Sequence, residues 1–356
     1  MKINFEALNQ KIACPDLEAA QRAQAHWDGI AKPLDGLGHL EKMVVKIAGL
    51  TGDPQVSVRK RAVVVLCADN GVVAEGVTQT DASVTATMAG QIHAHRSSVC
   101  LMAASAGADV FAVDMGMLCH VDGVKGCHIA DGTGNIAKGP AMSKEQACEA
   151  IAYGIELVKG YAEQGYQLLA TGEMGIGNTT TSSAVASVLF GMPVETVTGR
   201  GAGLSDEGLR RKCDAIRRAI EVNRPDPQDA LDVLAKVGGF DIAGMVGIFL
   251  GGAIYRVPVL IDGLISSVSA LIAARLCPES RCAMLASHTS AEPAAEKILS
   301  ELGLTAILHA RMKLGEGTGA VCMMPLLDMA LSVYDGSVAF DDTGIEQYQQ
   351  LGGTPS

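Results

Sequence analysis

Four short, mainly apolar runs in this chain each end at a polar turn carrying a glycine, and that recurrence constrains the fold more than any other feature. Ala62–Ala68 (AVVVLCA) stops at Asp69-Asn70-Gly71, and Ala108–Val113 stops at Asp114-Met115-Gly116. Tyr166–Ala170 stops at Thr171-Gly172-Glu173, and Val257–Ile261 at Asp262-Gly263. Runs of this length and composition read as strands buried on both faces. Ala283–Ala286 and Thr305–Leu308 extend the series to a fifth and a sixth strand. Helical stretches separate most of them. The alternation predicts an α/β fold: a doubly wound, mostly parallel sheet flanked by helices. Ligands in such sheets bind beyond the carboxyl ends of the strands. The polar turns fall at those ends.

The two ends of the chain read differently. Asp16–Asp28 is helical and stopped by Gly29, and Leu37–Leu50 places Leu40, Met43, Val44, Ile47 and Leu50 at helical spacing. The first sixty residues or so and the last thirty or so lack strand signals. The expected organisation is a small helical domain from 1–60 plus about 325–356, and a large α/β domain over 61–324. The tail from Gln347, ending Gly-Gly-Thr-Pro-Ser, is expected to fray.

Charge and composition exclude several classes. A formal net charge of −11 argues against nucleic-acid binding, which needs a basic face. No run of apolar residues is long enough to span a bilayer, and Met1–Glu18 lacks the apolar stretch of a signal peptide. The ten cysteines form no C-x-x-C pair, and the pattern fits reduced thiols in a cytoplasmic enzyme. The histidines show no ligand spacing, and neither a metal site nor a cofactor is expected.

Glycine-rich segments carry the chemistry. Thr171–Ser183 (TGEMGIGNTTTSS) follows a strand and leads into a helix from about Ser183. Glycines and hydroxyls at such a junction expose backbone N–H donors at the positive end of a helix, an arrangement suited to phosphate. The full dinucleotide fingerprint and the Gly-Lys-[Ser/Thr] of a P-loop are both absent. Val197–Asp206 is a second such loop, before a helix over Glu207–Asn223 that carries Lys212, a point charge for phosphate or a solvated surface cation. Lys313–Gly319 sets Glu316 among three glycines, a carboxylate free to reach into a pocket. Ser287-His288-Thr289-Ser290 suggests a hydrolase triad, but without a G-x-S-x-G elbow His288 reads as a loop hydrogen-bonder. Phe340-Asp341-Asp342-Thr343-Gly344 looks like an acidic ribose-binding loop but follows no strong apolar strand, and is rejected.

In order along the chain, several motifs resemble the nicotinate-nucleotide:dimethylbenzimidazole phosphoribosyltransferase family, from Lys32 to Met324. They are Lys32-Pro33-x-x-x-Leu37-Gly38-x-Leu40-Glu41, Ala68–Val72, Gly134-Asn135-Ile136 with Gly139–Met142, Gly172–Thr180, Lys236–Asp241 and Leu314–Ala320. The resemblance implies that Glu316 is the general base. It implies that Glu173, Gly175, Gly177, Asn178, Thr179, Thr180, Gly201 and Lys212 hold the phosphate and ribose, and that Thr80, Met88 and Leu314 line the base pocket. It also implies a homodimer that works without metal on nicotinate mononucleotide and a benzimidazole-type base. Met88 stands where relatives carry Gln, which leaves the preferred base open among benzimidazoles, adenine and phenols. Two other classes stay open at this point: an NAD(P)-dependent oxidoreductase on the same kind of sheet, and a non-catalytic nucleotide- or α-riboside-binding protein.

Overall fold

In the computed structural model, which describes residues 3–349, six strands form one sheet in the order β3-β2-β1-β4-β5-β6. The strands are β1 Arg61–Ala68, β2 Asp109–Gly116, β3 Lys125–Gly126, β4 Leu168–Met174, β5 Val259–Ile261 and β6 Met284–Ala286. Every pairing is parallel. All eight residues of β1 are buried, as an apolar run between two helical layers must be. Val64 and Leu66 face one core, with Val246 and Phe249 of the helix Phe240–Ile254. Val63, Val65 and Cys67 face the other, with Ala320 and Met323 of the helix Thr318–Gly336.

β1 pairs with β2 on one side and β4 on the other, so the winding of the sheet reverses there. Helices leaving such a reversal point diverge and open a crevice at the carboxyl ends of the two central strands. The same strand order serves dinucleotide-binding folds, so topology alone does not choose between a transferase and an oxidoreductase.

The ends of the chain meet. Trp27, in the helix Leu17–Gly29, packs edge-on against Tyr334, 4.9 Å away, and Ile30 bridges Ala339. The helix His39–Thr51 lies in the same core as Val63 and Val65, so this helical region is continuous with one face of the sheet. All ten cysteines are free thiols. Among the described residues no helix is long and apolar enough to cross a membrane. The tail residues 350–356 lie outside the described residues.

Two strand expectations need correction. Thr305–Leu308 is not a strand: Ile307 and Leu308 both donate their amides to Ser287 O, and Leu308 makes only an isolated bridge to His288. The sixth strand is instead Lys125–Gly126, an edge strand two residues long whose polar sequence carries no apolar signal. The helix expected from Ser183 begins at Asn178, because Gly177 takes the left-handed φ of 95° that turns the chain directly out of β4.

Candidate active site

A cavity of about 300 Å³ opens at the carboxyl ends of β4 and β5, beside the reversal point. Its walls come from four segments: Val77–Thr80, Gly172–Thr179, the loop containing Arg200–Leu204, and Met312–Gly315 with Thr318. Residues 262–266, with His288, Ser290 and Glu292, complete it. Of the residues singled out from sequence, Thr80, Glu173, Gly175, Gly177, Asn178, Thr179, Gly201 and Leu314 all line this space. Leu314 is 53% exposed and forms an apolar lip.

Glu173 is one of the carboxylates of the wall, with Asp262 and Glu292. It sits near the end of β4, is buried, and accepts from the Asn178 side-chain amide. The same amide donates to Asp241 Oδ2 at 2.9 Å, so Asn178 ties two buried carboxylates together. Burial pushes the Glu173 carboxyl well above its ordinary range, and the negative charges of Asp241, Asp262 and Glu316 push the same way. Asp241, fully enclosed behind Asn178, is raised to about 6, again chiefly by burial. A carboxyl in this range can take up or release a proton near neutral pH.

Glu316 is held differently. It is 5% exposed and adopts a φ of 61°, a left-handed backbone rare outside glycine. The loop is pinned from below by Asp262, which accepts the amides of Gly317 (3.2 Å), Gly319 (2.7 Å) and Ala320 (3.1 Å). The Glu316 carbonyl rests so closely on Gly172 of β4 that any Cβ there would overlap it. The carboxylate does not line the cavity. It accepts the amide of Val99 at 3.2 Å, at the start of the helix Ser98–Ser105. Burial raises its pKa, while the Val99 amide and Ser97 hydroxyl lower it. The neighbouring Gly315 and Thr318 do line the cavity, so Glu316 stands directly behind its wall.

Three other expected residues also lie off the cavity surface. Thr180 is fully buried, because a helix starting at Asn178 turns Thr179 outward and Thr180 into the core. Lys212 is not a solvated cation. It is 0% exposed, and its Nζ donates to Thr179 Oγ1 (2.9 Å) and Gly199 O (3.1 Å) behind the Gly199–Gly201 turn. Burial lowers its pKa to about 8. Met88 is half-buried on the helix Ser83–His93 and does not reach the wall.

Four residues gain weight that sequence reasoning gave them weakly or not at all. Asp262 carried the visible signal, a carboxylate ending an apolar strand. Asp241 ended the Lys236–Asp241 motif with no role given to it. His288 lines the cavity with its Nε2 3.6 Å from Asp262 Oδ1, and among the described residues no serine is bonded to it. Glu292 had no signal, since it lies within the loop after β6 and not at the end of the strand. The rejected acidic pair, Asp341 and Asp342, is exposed and contributes nothing to the cavity.

Comparison with known proteins narrows the chemistry. A family model described as a phosphoribosyltransferase matches residues 12–345. The nicotinate-nucleotide–dimethylbenzimidazole phosphoribosyltransferase of Ruminiclostridium cellulolyticum is 45% identical over 351 residues, covering 98% of this chain and 100% of that protein. The protein of that name from Acetivibrio thermocellus is 46% identical over 334 residues, with 93% and 95% covered. The crystal structure of CobT from Thermus thermophilus superimposes with a TM-score of 0.88 at 37% identity, covering 93% of this chain and all of that one.

Proposed function

The chain belongs to the nicotinate-nucleotide–dimethylbenzimidazole phosphoribosyltransferase family, and from that premise we propose that it moves phosphoribose from nicotinate mononucleotide to 5,6-dimethylbenzimidazole or a related base. The products are nicotinate and an α-riboside 5′-phosphate, the nucleotide-loop precursor of a cobamide. One observation supports this most: a single cavity joins glycine-rich turns backed by a buried lysine to buried, proton-hungry carboxylates.

The chemistry follows from the substrates. Nicotinate leaves C1′ as a pyridinium whose positive charge is cancelled on departure. The incoming ring attacks C1′ through one nitrogen from the opposite face, which turns a β-nucleotide into an α-riboside. Its other nitrogen must shed a proton, and a carboxylate in line with that N–H is the base. Glu316 is the proposed base, with Glu173 orienting the ribose. Glu173 is a second candidate for the base because its carboxylate, unlike that of Glu316, lies on the cavity wall. Gly175, Gly177, Asn178, Thr179 and Gly201, with Lys212 behind them, are assigned to phosphate and ribose. Thr80 and Leu314, with Met88 off the wall, are assigned to the incoming base. Holding both rings in line supplies much of the remaining acceleration.

A cytoplasmic homodimer, with a small helical domain drawn from both termini, belongs to the same proposal. A solution mass of about twice that of the chain, by light scattering, is the check on its assembly. Activity is tested by incubating the protein with nicotinate mononucleotide and a panel of bases. Free nicotinate and an α-riboside phosphate should appear together. No nicotinate release with any base would end the proposal.

A further inference from the structure

Glu292 is a cavity residue to which the proposed reaction gives no part. Glu292 follows β6 on the loop Ser287–Ala294, is 9% exposed, and lines the same cavity as Gly201 and Thr179. Its Oε1 accepts the Gly201 amide at 3.1 Å. Its Oε2 is buried with no hydrogen-bond partner among the described residues and presses against Gly199, where any Cβ would overlap it. Lys212 lies on the other side of this turn, bonded to Gly199 O and Thr179 Oγ1. A backbone N–H and a buried cation are the two donors an anion would seek here, and a protein carboxylate already holds one of them.

A carboxylate with one oxygen satisfied and one orphaned is poorly solvated. A phosphate has more acceptor oxygens and can take the Gly201 amide while lying in the field of the Lys212 charge behind the turn. It cannot share the amide with Glu292, since two anions at one donor repel each other. We propose that Glu292 is a built-in competitor for the substrate's phosphate: its carboxylate occupies the Gly201 amide in the free protein and must leave it before the phosphate can bind. The inference rests on the assignment of this end of the cavity to phosphate. It makes Glu292 a determinant of specificity. Ligands without a strong anion cannot displace the carboxylate and are held weakly.

The test is Glu292→Gln, which keeps the shape and an acceptor oxygen for Gly201 but removes the charge. Calorimetric titration with inorganic phosphate should show binding about tenfold tighter in the variant than in the native protein, as expected when a like charge is taken from a partly buried anion site. The KM for nicotinate mononucleotide should fall in parallel. Equal or weaker phosphate binding in the variant overturns the inference, as does a failure of both proteins to bind phosphate. The phosphate titration needs no turnover, so it decides the matter even if phosphoribosyl transfer is not found. If Glu292→Gln does not fold, a crystal of the native protein grown with inorganic phosphate decides instead. Phosphate on the Gly201 amide with Glu292 turned away supports the inference. Phosphate in the cavity beside an intact Gly201–Glu292 bond, or an empty cavity, overturns it.

Discussion

Glu316 caps a helix and is proposed as the proton acceptor, and the magnitudes of the two roles differ enough to separate them. As a cap it accepts the Val99 amide at the start of the eight-residue helix Ser98–Ser105. Losing such a cap costs about 0.5–2 kcal/mol of stability. As a general base it should contribute about 10²–10⁴-fold to kcat, which is roughly 3–5 kcal/mol of barrier. Glu316→Gln keeps an oxygen for the Val99 amide and removes the base. Glu316→Ala removes both. The expected outcome is a large, similar fall in kcat for the two variants, with a drop in thermal midpoint confined mainly to Glu316→Ala. The pH profile adds a third readout. Burial raises the Glu316 carboxyl, and a base works only when deprotonated. Native kcat should therefore fall as pH drops through a value above the ordinary carboxylate range, and Glu316→Gln should lose that limb. Stopped assays of nicotinate release across pH measure all of this. Turnover of Glu316→Gln within about threefold of native, with the acidic limb intact, would refute the assignment and move the base to Glu173.

The remaining expectations probe the shell around that loop. Glu173→Gln should raise KM for nicotinate mononucleotide if Glu173 orients the ribose, or collapse kcat if it is the base; unchanged kinetics would remove it from both roles. Asp262→Asn turns an amide N–H toward one of the three backbone donors that Asp262 now accepts, and should cost about 2–3 kcal/mol in denaturant unfolding. It should also slow turnover, since the Glu316 backbone loses its anchor; an unshifted unfolding midpoint would contradict the reading. Lys212 has its folded pKa lowered from 10.5 to about 8, so between those values the native state has released a proton that the unfolded chain still holds. Native stability measured against Lys212→Met should therefore rise with pH across that window, by up to about 3 kcal/mol. A flat difference would mean that Lys212 is hydrated.

The sheet could be read from sequence because burial on two faces demands apolar runs, and β1, β2, β4, β5 and β6 all announce themselves that way. The edge strand Lys125–Gly126 does not, since it has one neighbour and needs no apolar signal. Side-chain direction was harder to read. Asn178 reaches Asp241 across 63 positions and Asp262 reaches Gly317 across 55, separations to which no local periodicity responds. Thr180, a ligand contact only by resemblance, lies in the core because the helix starts at Asn178 and not near Ser183. What the sequence did carry was a carboxylate at or near the end of each of four parallel strands: Asp69, Asp114, Glu173 and Asp262. Parallel strands deliver their ends to one edge, so four acids converge there and backbone donors must offset their desolvation. Asp262 accepts three backbone amides, Asp114 accepts Gly116 and Met117, and Asp69 accepts Leu118. Among the described residues Glu173 accepts only the Asn178 side chain, and it is one of the two among these four that line the cavity. A carboxylate with a single internal donor, at the wall of the cavity, has unused capacity for a ligand's hydroxyl or proton. That ranks Glu173 beside Glu316, and it is why kinetics of both single variants, measured side by side, decide which of the two removes the proton.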